Sequence, residues 1–193
     1  MAPGLPTLYS ERLILRPFTL ADATDVQRLA GSPDVASTTM NIPHPYEAGM
    51  AESWIARHGP EFEAGTMAVW AITVASALTG AISLRLERDH HRAELGYWIG
   101  QPYWGQGYAT EAAATILEYG FTTLGLNRIQ ATHLIRNPAS GRVMQKVGMR
   151  FEGVHREYFW KNGRPEDIAR YAILASDRTG FDSSALAPTR ETE

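Results

Sequence analysis

The sequence contains no cysteine, and this absence excludes several kinds of site. Without a thiol, the chain has no disulfide, no thiolate metal ligand and no cysteine nucleophile. Lysine is scarce as well: Lys146 and Lys161 are the only two among 18 basic residues, and they form no polybasic cluster. Together with a formal net charge of −3, this argues against a protein that coats nucleic acid. His90 and His91 are the only adjacent imidazoles, and neighbouring residues of a strand point to opposite faces, so we predict no metal site.

Long hydrophobic runs are also absent. No apolar stretch approaches the ~20 residues that a membrane span requires, and the N-terminal segment lacks the basic and apolar regions of a secretion signal. We therefore expect a cytoplasmic protein that contacts no membrane. A chain of 193 residues suits one domain that buries roughly 70% of its unfolded surface. We predict a flexible lead at residues 1–8, a single domain at 9–175 and a mobile tail at 176–193.

The spacing of apolar and turn residues predicts an α/β fold, a mixed sheet with helices on its faces. The predicted strands lie at 12–18, 67–74, 80–87, 92–99, 128–134, 151–160 and 168–174. The predicted helices lie at 19–30, 46–64, 106–124 and 137–148, with a proline-containing loop at 32–46. Two helix starts carry local signals: Thr19 and Asp22 match a capping box, and Asn137 followed by Pro138 supplies an N-cap and an N1 proline.

A glycine-rich loop at the start of the predicted third helix carries the strongest functional signal. Gly105 and Gly107 follow an alternating apolar strand and directly precede the helix. A glycine turn at a helix start leaves several backbone N–H groups unpaired beside the positive end of the helix dipole, which favours a phosphate or pyrophosphate. The loop lacks the lysine of a Walker loop, and Thr110 stands where a dinucleotide fingerprint needs a third small residue. A nucleotide-phosphate enzyme is therefore the least favoured interpretation.

The segment Trp104–Ala109, Trp-Gly-Gln-Gly-Tyr-Ala, resembles the Arg/Gln-x-x-Gly-x-Gly/Ala loop of the GNAT N-acetyltransferases. The resemblance extends over residues 11–175 and is closest to the ribosomal-protein N-acetyltransferase (RimJ/RimL-type) branch. The matching stretches are Glu11–Arg16, Trp70–Ile72, Ala93–Ile99, Gly107–Ala112, Asn137–Ser140, Lys146–Met149 and Glu152–Gly153. The resemblance implies the GNAT fold, with a mostly antiparallel sheet flanked by helices, and acetyl-coenzyme A (acetyl-CoA) as cosubstrate. Trp104 departs from the pattern, because many relatives have Arg or Gln there, and this removes one cationic phosphate contact.

The same resemblance implies where coenzyme A binds. The loop residues implied to hold its pyrophosphate, mainly through backbone N–H groups, are Trp104, Gly105, Gln106, Gly107, Tyr108, Ala109 and Thr110. In the family the preceding strand parts from its neighbour, so that backbone groups, here of Tyr97, Trp98 and Ile99, pair with the pantetheine amides and polarise the thioester oxygen. From the sequence alone, Tyr97 and Trp98 fit the core equally well. The matching asparagine, Asn137, hydrogen-bonds coenzyme A in the family, and this role is compatible with an N-cap because the side chain offers an acceptor and two donors.

Two carboxylates are candidates for the general base. Glu94 lies on the strand that leads to the glycine loop, where the resemblance also places a carboxylate near the acetyl group. A structural ion pair with Arg92 or Arg85 explains this residue equally well. Glu152, on the strand after the last helix, is the second candidate, and for it a solvated structural role is favoured.

Ser140 is the candidate for contact with the leaving thiolate. It occupies the third position of the helix begun by Asn137, where small polar residues commonly interact with free N–H groups. The resemblance places the matching serine of the RimL-like branch near the coenzyme A sulfur. Other branches carry a tyrosine acid seven residues after the asparagine, and Met144 stands at that position here.

These residues favour an acetyl-CoA-dependent N-acetyltransferase in which a primary amine attacks the thioester directly. An α-amino group with a pKa of ~8 costs about 1.4 kcal/mol to deprotonate at pH 7, whereas a lysine at ~10.4 costs about 4.6 kcal/mol, so a peptide or protein N-terminus is the favoured acceptor. Segment 31–65 carries five acids and one arginine, a charge of 1 − 5 = −4 that attracts a cationic amine. A polyamine, an aminoglycoside or a free amino-acid derivative also fits.

A binding module is the alternative class of function. Trp104 and Met144, which depart from the catalytic patterns of the family, leave open a catalytically silent acyl-CoA sensor or scaffold. The expected partners are coenzyme A and an amine acceptor, with no nucleic acid, membrane or metal. The chain is expected to be a monomer or a homodimer.

Overall fold

The computed structural model describes residues 4–178 of the 193-residue chain. Eight strands form one sheet in these residues: β1 (Leu8–Tyr9), β2 (Ile14–Pro17), β3 (Met67–Val74), β4 (Ala77–Glu87), β5 (Arg92–Ile99), β6 (Arg128–Leu134), β7 (Arg150–Lys161) and β8 (Arg164–Leu174). Six α-helices accompany them: α1 (Ala23–Ala30), α2 (Pro33–Thr38), α3 (Met50–Ala56), α4 (His58–Glu63), α5 (Tyr108–Thr122) and α6 (Pro138–Lys146). The strand order is β1-β2-β3-β4-β5-β6-β8-β7.

One parallel pair interrupts an otherwise antiparallel sheet. β5 and β6 run parallel and pair at only three positions, from Arg92↔Arg128 to Glu94↔Gln130. β5 stays paired with β4 as far as Ile99, and β6 stays paired with β8 to its last residue. The two central strands therefore separate beyond Glu94, and their facing edges have no ladder partner there. This split makes a wedge-shaped opening in the middle of the sheet.

Two hydrophobic clusters cover the two faces of the sheet. The larger cluster joins the sheet to α5 and α6 through buried side chains that include Trp70, Ile116 and Met144. The smaller cluster joins the other face to α1 and α3 through residues such as Val26 and Ile55. Burying one side chain of this size contributes about 1.5–3 kcal/mol. The helices are thus fixed on both sides of the opening.

The fold class and several element bounds predicted from the sequence are confirmed. β5 and β6 have the predicted bounds, and the mixed sheet with flanking helices is observed. Ahead of α1, the Thr19 N–H donates to the Asp22 carboxylate at 2.8 Å, as the capping-box prediction requires. Asn137 is the N-cap of α6, because its Oδ1 accepts a hydrogen bond from the Ser140 N–H at 3.3 Å.

Two predictions for the segment between β2 and β3 were wrong. Residues 32–46 were predicted as a loop, but Pro33–Thr38 form α2, with the proline at the first helical position, where its missing N–H costs nothing. The helix predicted over 46–64 begins only after Gly49, whose φ is +84°, and it divides at Arg57 into α3 and α4. Turn residues in this segment therefore divide short helices instead of marking a single loop and a single helix.

The predicted flexible lead at residues 1–8 is wrong in the part that the structure describes. Leu8 pairs with Leu15 in the sheet. The Trp70 indole N–H donates to the Pro6 carbonyl at 2.9 Å. The chain before β2 is therefore attached to the core by a strand pairing and by a hydrogen bond from a buried side chain.

The tail predicted at 176–193 begins inside the folded part of the chain. Ala175–Arg178 form a 3-10 turn. Asp177 caps the end of β8 by accepting a backbone hydrogen bond at 3.0 Å. The remainder of the two predicted termini, residues 1–3 and 179–193, lies outside the described residues.

Candidate active site

The loop before α5 leaves a row of backbone donors free. Gly105 and Gly107 have φ values of +76° and +84°, a left-handed region that glycine adopts without a Cβ clash. The hydrogen bonds of α5 begin with the Glu111 N–H, which donates to the Gly107 carbonyl at 3.1 Å. Within the described part of the chain, the six N–H groups of residues 105–110 have no hydrogen-bond acceptor. This row, at the positive end of the α5 dipole, forms a site suited to a phosphate or pyrophosphate.

Glu111, in the first turn of α5, is engaged by a cluster of donors. Its carboxylate accepts hydrogen bonds from the Ser10 hydroxyl at 2.7 Å and from the Arg12 backbone N–H at 2.8 Å, and it pairs with the Arg12 guanidinium at 2.7 Å. Burial by itself raises the pKa of Glu111, but these hydrogen bonds outweigh burial and hold the pKa below its usual value. The negative charge beside the free N–H groups is thereby neutralised within the protein.

Two side chains brace the glycine loop. The Arg12 guanidinium donates to the Gln106 carbonyl at 3.0 Å. The Trp104 indole N–H donates to the Ile99 carbonyl at 2.6 Å, at the end of β5. This bond occupies the Ile99 carbonyl. The backbone groups that are left for the predicted contacts with pantetheine are therefore chiefly those of Tyr97 and Trp98. Trp104, which departs from the family pattern, therefore supports the loop, and Arg12 supplies a guanidinium close to it.

A cavity of about 1260 Å³ connects the glycine loop with the opening between β5 and β6. It is larger than the roughly 300–1,000 Å³ of an ordinary ligand pocket, as a site for two substrates requires. Twelve of the thirteen residues predicted for the site line it: Glu94, Tyr97, Trp98, Ile99, Trp104, Gly105, Gly107, Tyr108, Ala109, Thr110, Asn137 and Ser140. Gln106 is the exception among them. The structure thus brings together residues that are up to 46 positions apart in the chain.

Glu94 lies at the apex of the opening, at the last paired position of β5 and β6. Its Oε1 accepts a hydrogen bond from the Thr132 hydroxyl at 3.3 Å, and its Oε2 lies 4.0 Å from Arg85 Nη1. Arg92, the other predicted ion-pair partner, pairs with Glu87 at 2.6 Å instead. The Glu94 side chain keeps 30% of its surface exposed. The carboxylate is therefore held loosely and stays accessible from the cavity.

Ser140, in the first turn of α6, is hydrogen-bonded to a partly buried tyrosine. The Tyr97 hydroxyl lies 2.8 Å from Ser140 Oγ and donates to the Ser140 carbonyl at 3.0 Å. Burial raises the pKa of Tyr97 to about 12, although the contact with Ser140 opposes this shift, so the phenol is protonated at neutral pH. From the sequence, Tyr97 was predicted to contribute only its backbone. The alternation of side chains along β5 is the signal that would have predicted which face the hydroxyl occupies.

Asn137 and Lys161 attach the end of α2 and the segment after it to the rest of the domain. The Asn137 side-chain amide donates to the Thr38 carbonyl at 3.2 Å. The Lys161 ammonium donates to the carbonyls of Met40 and Ile42 at 3.3 and 3.4 Å. Burial lowers the pKa of Lys161. Sequence reasoning missed this lysine, because no local pattern connects the end of β7 with a cavity-lining segment so much earlier in the chain.

Glu152 and Met144 both make structural contacts. Glu152, the second candidate base, forms a bidentate ion pair with Arg128 at 2.7 and 2.5 Å, and it does not line the cavity. The hydrogen bonds from Arg128 lower the pKa of Glu152. Met144, at the position of the tyrosine acid of other branches, is only 1% exposed and belongs to the larger cluster. Glu94 therefore remains the candidate base.

Among residues 4–178, no group of three or more His, Cys, Asp or Glu side chains is placed to hold a metal ion. His90 and His91 lie at the turn between β4 and β5. No helix within that range combines the length and the apolar character needed to cross a membrane.

Comparison with known proteins gives the family. The acetyltransferase (GNAT) domain matches residues 12–150. Over 172 residues the chain is 33% identical to the uncharacterized N-acetyltransferase YoaA of Bacillus subtilis (strain 168), which covers 88% of this chain and 97% of YoaA. Over 89 residues, 46% of each chain, it is 32% identical to the ribosomal protein uS5 alanine N-acetyltransferase of Escherichia coli (strain K12). The structure of Mycobacterium smegmatis RimJ in complex with CoA-disulfide matches with a TM-score of 0.83 and 25% identity, covering 90% of this chain and 89% of that one.

The chain therefore belongs to the GNAT acetyltransferase family, and it is an N-acetyltransferase. The predicted resemblance to this family, and to its ribosomal-protein N-acetyltransferases in particular, is confirmed. The sheet that splits between β5 and β6 is the GNAT fold.

Proposed function

We propose that this enzyme transfers the acetyl group of acetyl-CoA to a primary amine, with a peptide or protein N-terminal α-amine as the favoured acceptor. One observation carries the proposal: a single cavity is lined by the glycine loop, with its row of free N–H groups, and by the Glu94 carboxylate at the apex of the split sheet. The relative that is named as a uS5 alanine N-acetyltransferase supports an α-amine as the acceptor. The RimJ complex with CoA-disulfide supports coenzyme A as the other ligand.

In this proposal the N–H groups of residues 105–110 bind the pyrophosphate of coenzyme A. Arg142 and Lys146 line the same cavity from α6 and add positive charge for the phosphates. The pantetheine arm lies in the opening between β5 and β6, where backbone groups of Tyr97 and Trp98 contact its amides. Asn137 has one amide proton left after its bond to the Thr38 carbonyl, and this proton is available to coenzyme A.

The amine attacks the thioester carbonyl carbon directly. A C–N bond forms, the C–S bond breaks, and the electron pair leaves with the sulfur as a thiolate. The ammonium loses one proton to the Glu94 carboxylate before the attack, directly or through one water. The second N–H proton leaves the nitrogen after the attack and passes through water to the thiolate, which departs as the thiol. Because an α-amine costs only about 1.4 kcal/mol to deprotonate at pH 7, a partly exposed carboxylate suffices as base. Backbone N–H groups freed along β5 stabilise the negative charge that develops on the carbonyl oxygen.

Ser140 and Tyr97 act on the leaving sulfur. In the reaction Ser140 donates a hydrogen bond to the thiolate, and the Tyr97 hydroxyl, which lies 2.8 Å from Ser140 Oγ and stays protonated, turns its proton from the Ser140 carbonyl to Oγ. Coupled hydrogen bonds of this kind polarise one another, so the pair is a better donor than a lone serine. In the free protein the same tyrosine proton is held by the Ser140 carbonyl.

Replacing Ser140 with alanine is expected to lower kcat ~10–100-fold, because one contact made mainly in the transition state contributes about 1.4–2.8 kcal/mol. The melting temperature should change little, since the N-cap Asn137 remains and a first-turn hydroxyl contributes on the order of 0.5 kcal/mol or less. Steady-state thiol release measures kcat. Tyr97→Phe should lower kcat in the same direction. A Ser140→Ala enzyme at full rate would show that water protonates the thiolate, which with a thiol pKa of ~8.5 is chemically sufficient.

The experiment that tests the function is thiol release from acetyl-CoA with a panel of amines and N-terminal peptides, followed by mass spectrometry of the products. Acetylation of an α-amine supports the proposal. Tight coenzyme A binding without turnover on any amine would instead support the alternative function, a catalytically silent acyl-CoA sensor. Acetylation confined to side-chain amines such as lysine would show that the acceptor is a side-chain amine and not an α-amine.

A further inference from the structure

The cavity extends across the sheet, so its two halves lie on opposite faces. Leu95 and Tyr97 pack in the larger cluster with α5, whereas Trp98 packs in the smaller cluster with α1 and α3. Because side chains alternate along a strand, Glu94 and Gly96 share the face of Trp98. The glycine loop begins α5, which lies on the other face. The Glu94 carboxylate therefore lies in the half of the cavity that is open to the acceptor.

The sheet forms the floor of the acceptor half of the cavity, which is the half that contains Glu94. Gly96 leaves a recess in this floor. Strand pairing places Val69, Ser83 and Gly96 in one row, on the face that Glu94 shares. A Cβ at position 96 would lie 3.2 Å from Ser83 Oγ, so the floor is closed there by backbone and one small hydroxyl. Trp98 borders the recess on the next row. The floor beside the candidate base therefore carries no side chain at position 96, and a substrate side chain can lie there against the strand backbone.

The remaining walls of this half are largely apolar. Met50 and Trp54 of α3 line it, as do Ile42 and Tyr46 from the segment between α2 and α3. Lys161 holds that segment in place through the Ile42 carbonyl at 3.4 Å. An apolar wall of this kind favours a large aliphatic or aromatic side chain, because its burial releases water from both surfaces.

The charged side chains in this half balance one another. Among the described residues that line it, Glu47 and Glu94 are the acids and Arg57 and Arg85 are the bases, a sum of 2 − 2 = 0. The other four acids of segment 31–65 do not line the cavity, so the acidic field expected from the sequence is not concentrated here. A polyamine would bring several ammonium groups to a site without excess negative charge. A single ammonium beside Glu94, with an oxygen atom toward Arg85, matches the site better.

We propose that the acceptor is the α-amino group of a residue with a large apolar side chain, such as leucine, methionine or phenylalanine. Its ammonium is held by Glu94, its carbonyl oxygen lies toward Arg85, 4.0 Å from Glu94, and its side chain enters the recess over Gly96. This assignment rests on the proposed function and names the acceptor class that the function leaves open. Free amino acids, their amides and peptide N-termini share this chemistry.

A matched series of amino-acid amides tests the assignment. At saturating acetyl-CoA, thiol release gives kcat/KM for glycinamide, alaninamide, leucinamide and phenylalaninamide. We expect leucinamide to exceed glycinamide by ~30-fold or more, because each buried methylene of a substrate is worth roughly tenfold in discrimination. Spermidine is expected to fall below leucinamide. Leucine and the dipeptide Leu-Gly, measured beside leucinamide, distinguish a free amino acid from a peptide N-terminus as the source of the amine.

The Gly96→Ala variant tests the recess itself. The new methyl group fills the floor, so the ratio of kcat/KM for leucinamide to that for glycinamide should fall ~10-fold, mainly through KM for leucinamide. The dissociation constant for coenzyme A, measured by isothermal titration, should remain at its wild-type value. Because the nearest atom to the new methyl is the Ser83 hydroxyl at 3.2 Å, a double variant with Ser83→Ala relieves that contact and separates filling of the recess from a folding defect.

The outcomes distinguish this assignment from the function on which it rests. Equal kcat/KM values along the amide series, or a preference for spermidine, would each overturn the acceptor class while acetyl transfer stands. A side-chain preference that survives Gly96→Ala would overturn the placement of the acceptor side chain over Gly96. No thiol release with any of these amines, at normal coenzyme A affinity, would instead overturn the proposed function.

Discussion

Replacing Gly107 with valine is expected to weaken coenzyme A binding by ~100-fold or more. Gly107 has a φ of +84°, which a β-branched residue avoids, so the loop must change its backbone conformation or carry strain. Either response turns N–H groups of residues 105–110 away from the pyrophosphate that they are proposed to bind. A Cβ at this position would also lie 3.3 Å from the Arg12 guanidinium, which braces the loop. Isothermal titration with coenzyme A measures the effect.

Gly125 supplies the matched control for this experiment. It follows the other end of α5, its φ is +64°, and no atom lies within 4 Å of a Cβ built on it. Gly125→Val should therefore introduce similar backbone strain, on the order of 1–3 kcal/mol, and leave coenzyme A affinity intact. Melting temperatures of both variants report the strain. Unchanged affinity in Gly107→Val would remove the pyrophosphate assignment, and equal losses in both variants would attribute the effect to general destabilisation.

Replacing Glu94 with glutamine is expected to lower kcat/KM at pH 7 by ~100-fold, the lower end of what a general base contributes. Coenzyme A affinity should stay nearly constant, because glutamine keeps the size of the side chain and can still accept from the Thr132 hydroxyl. The residual rate should rise about tenfold per pH unit until the acceptor amine titrates near pH ~8, since the variant depends on amine that is already neutral. A pH–rate profile of the variant is the measurement.

Glu152 offers a control carboxylate for this test. Its two oxygens are paired with Arg128 outside the cavity, so Glu152→Gln should affect stability and leave the pH–rate profile unchanged. If Glu94→Gln and wild type give indistinguishable profiles, Glu94 is not the general base, and its role is the structural ion pair with Arg85. The 4.0 Å separation of that pair already argues that the pairing is weak.

The parts of the site that the sequence predicted are those with local causes. Gly105 and Gly107 were assigned to a phosphate loop because left-handed turns and unpaired N–H groups at a helix start are properties of a few adjacent residues. The N-cap role of Asn137 is local for the same reason. The fold class and family were also accessible, because alternation along strands and ordered motifs persist through the chain.

The predictions that failed depended on contacts between distant residues. The early segment was predicted as one loop and one helix, whereas packing against α1 and β3 stabilises short helices there, which propensity alone does not favour. For Glu152 a structural role was already favoured from the sequence, but its partner Arg128 could not be predicted. Lys161 was missed because its partners, the carbonyls of Met40 and Ile42, lie far away in the chain.

The sequence by itself determined the glycine turn, the helix that follows it, the cap of α6 and the alternation along β5, because each is set by backbone sterics or by hydrogen bonds between near neighbours. Only the tertiary structure decided that β5 and β6 separate beyond Glu94, that Tyr97 meets Ser140, and that the acids of segment 31–65 mostly lie away from the cavity. These outcomes depend on how strands and helices pack as a whole. Packing is a sum over contacts between residues that no local pattern brings together.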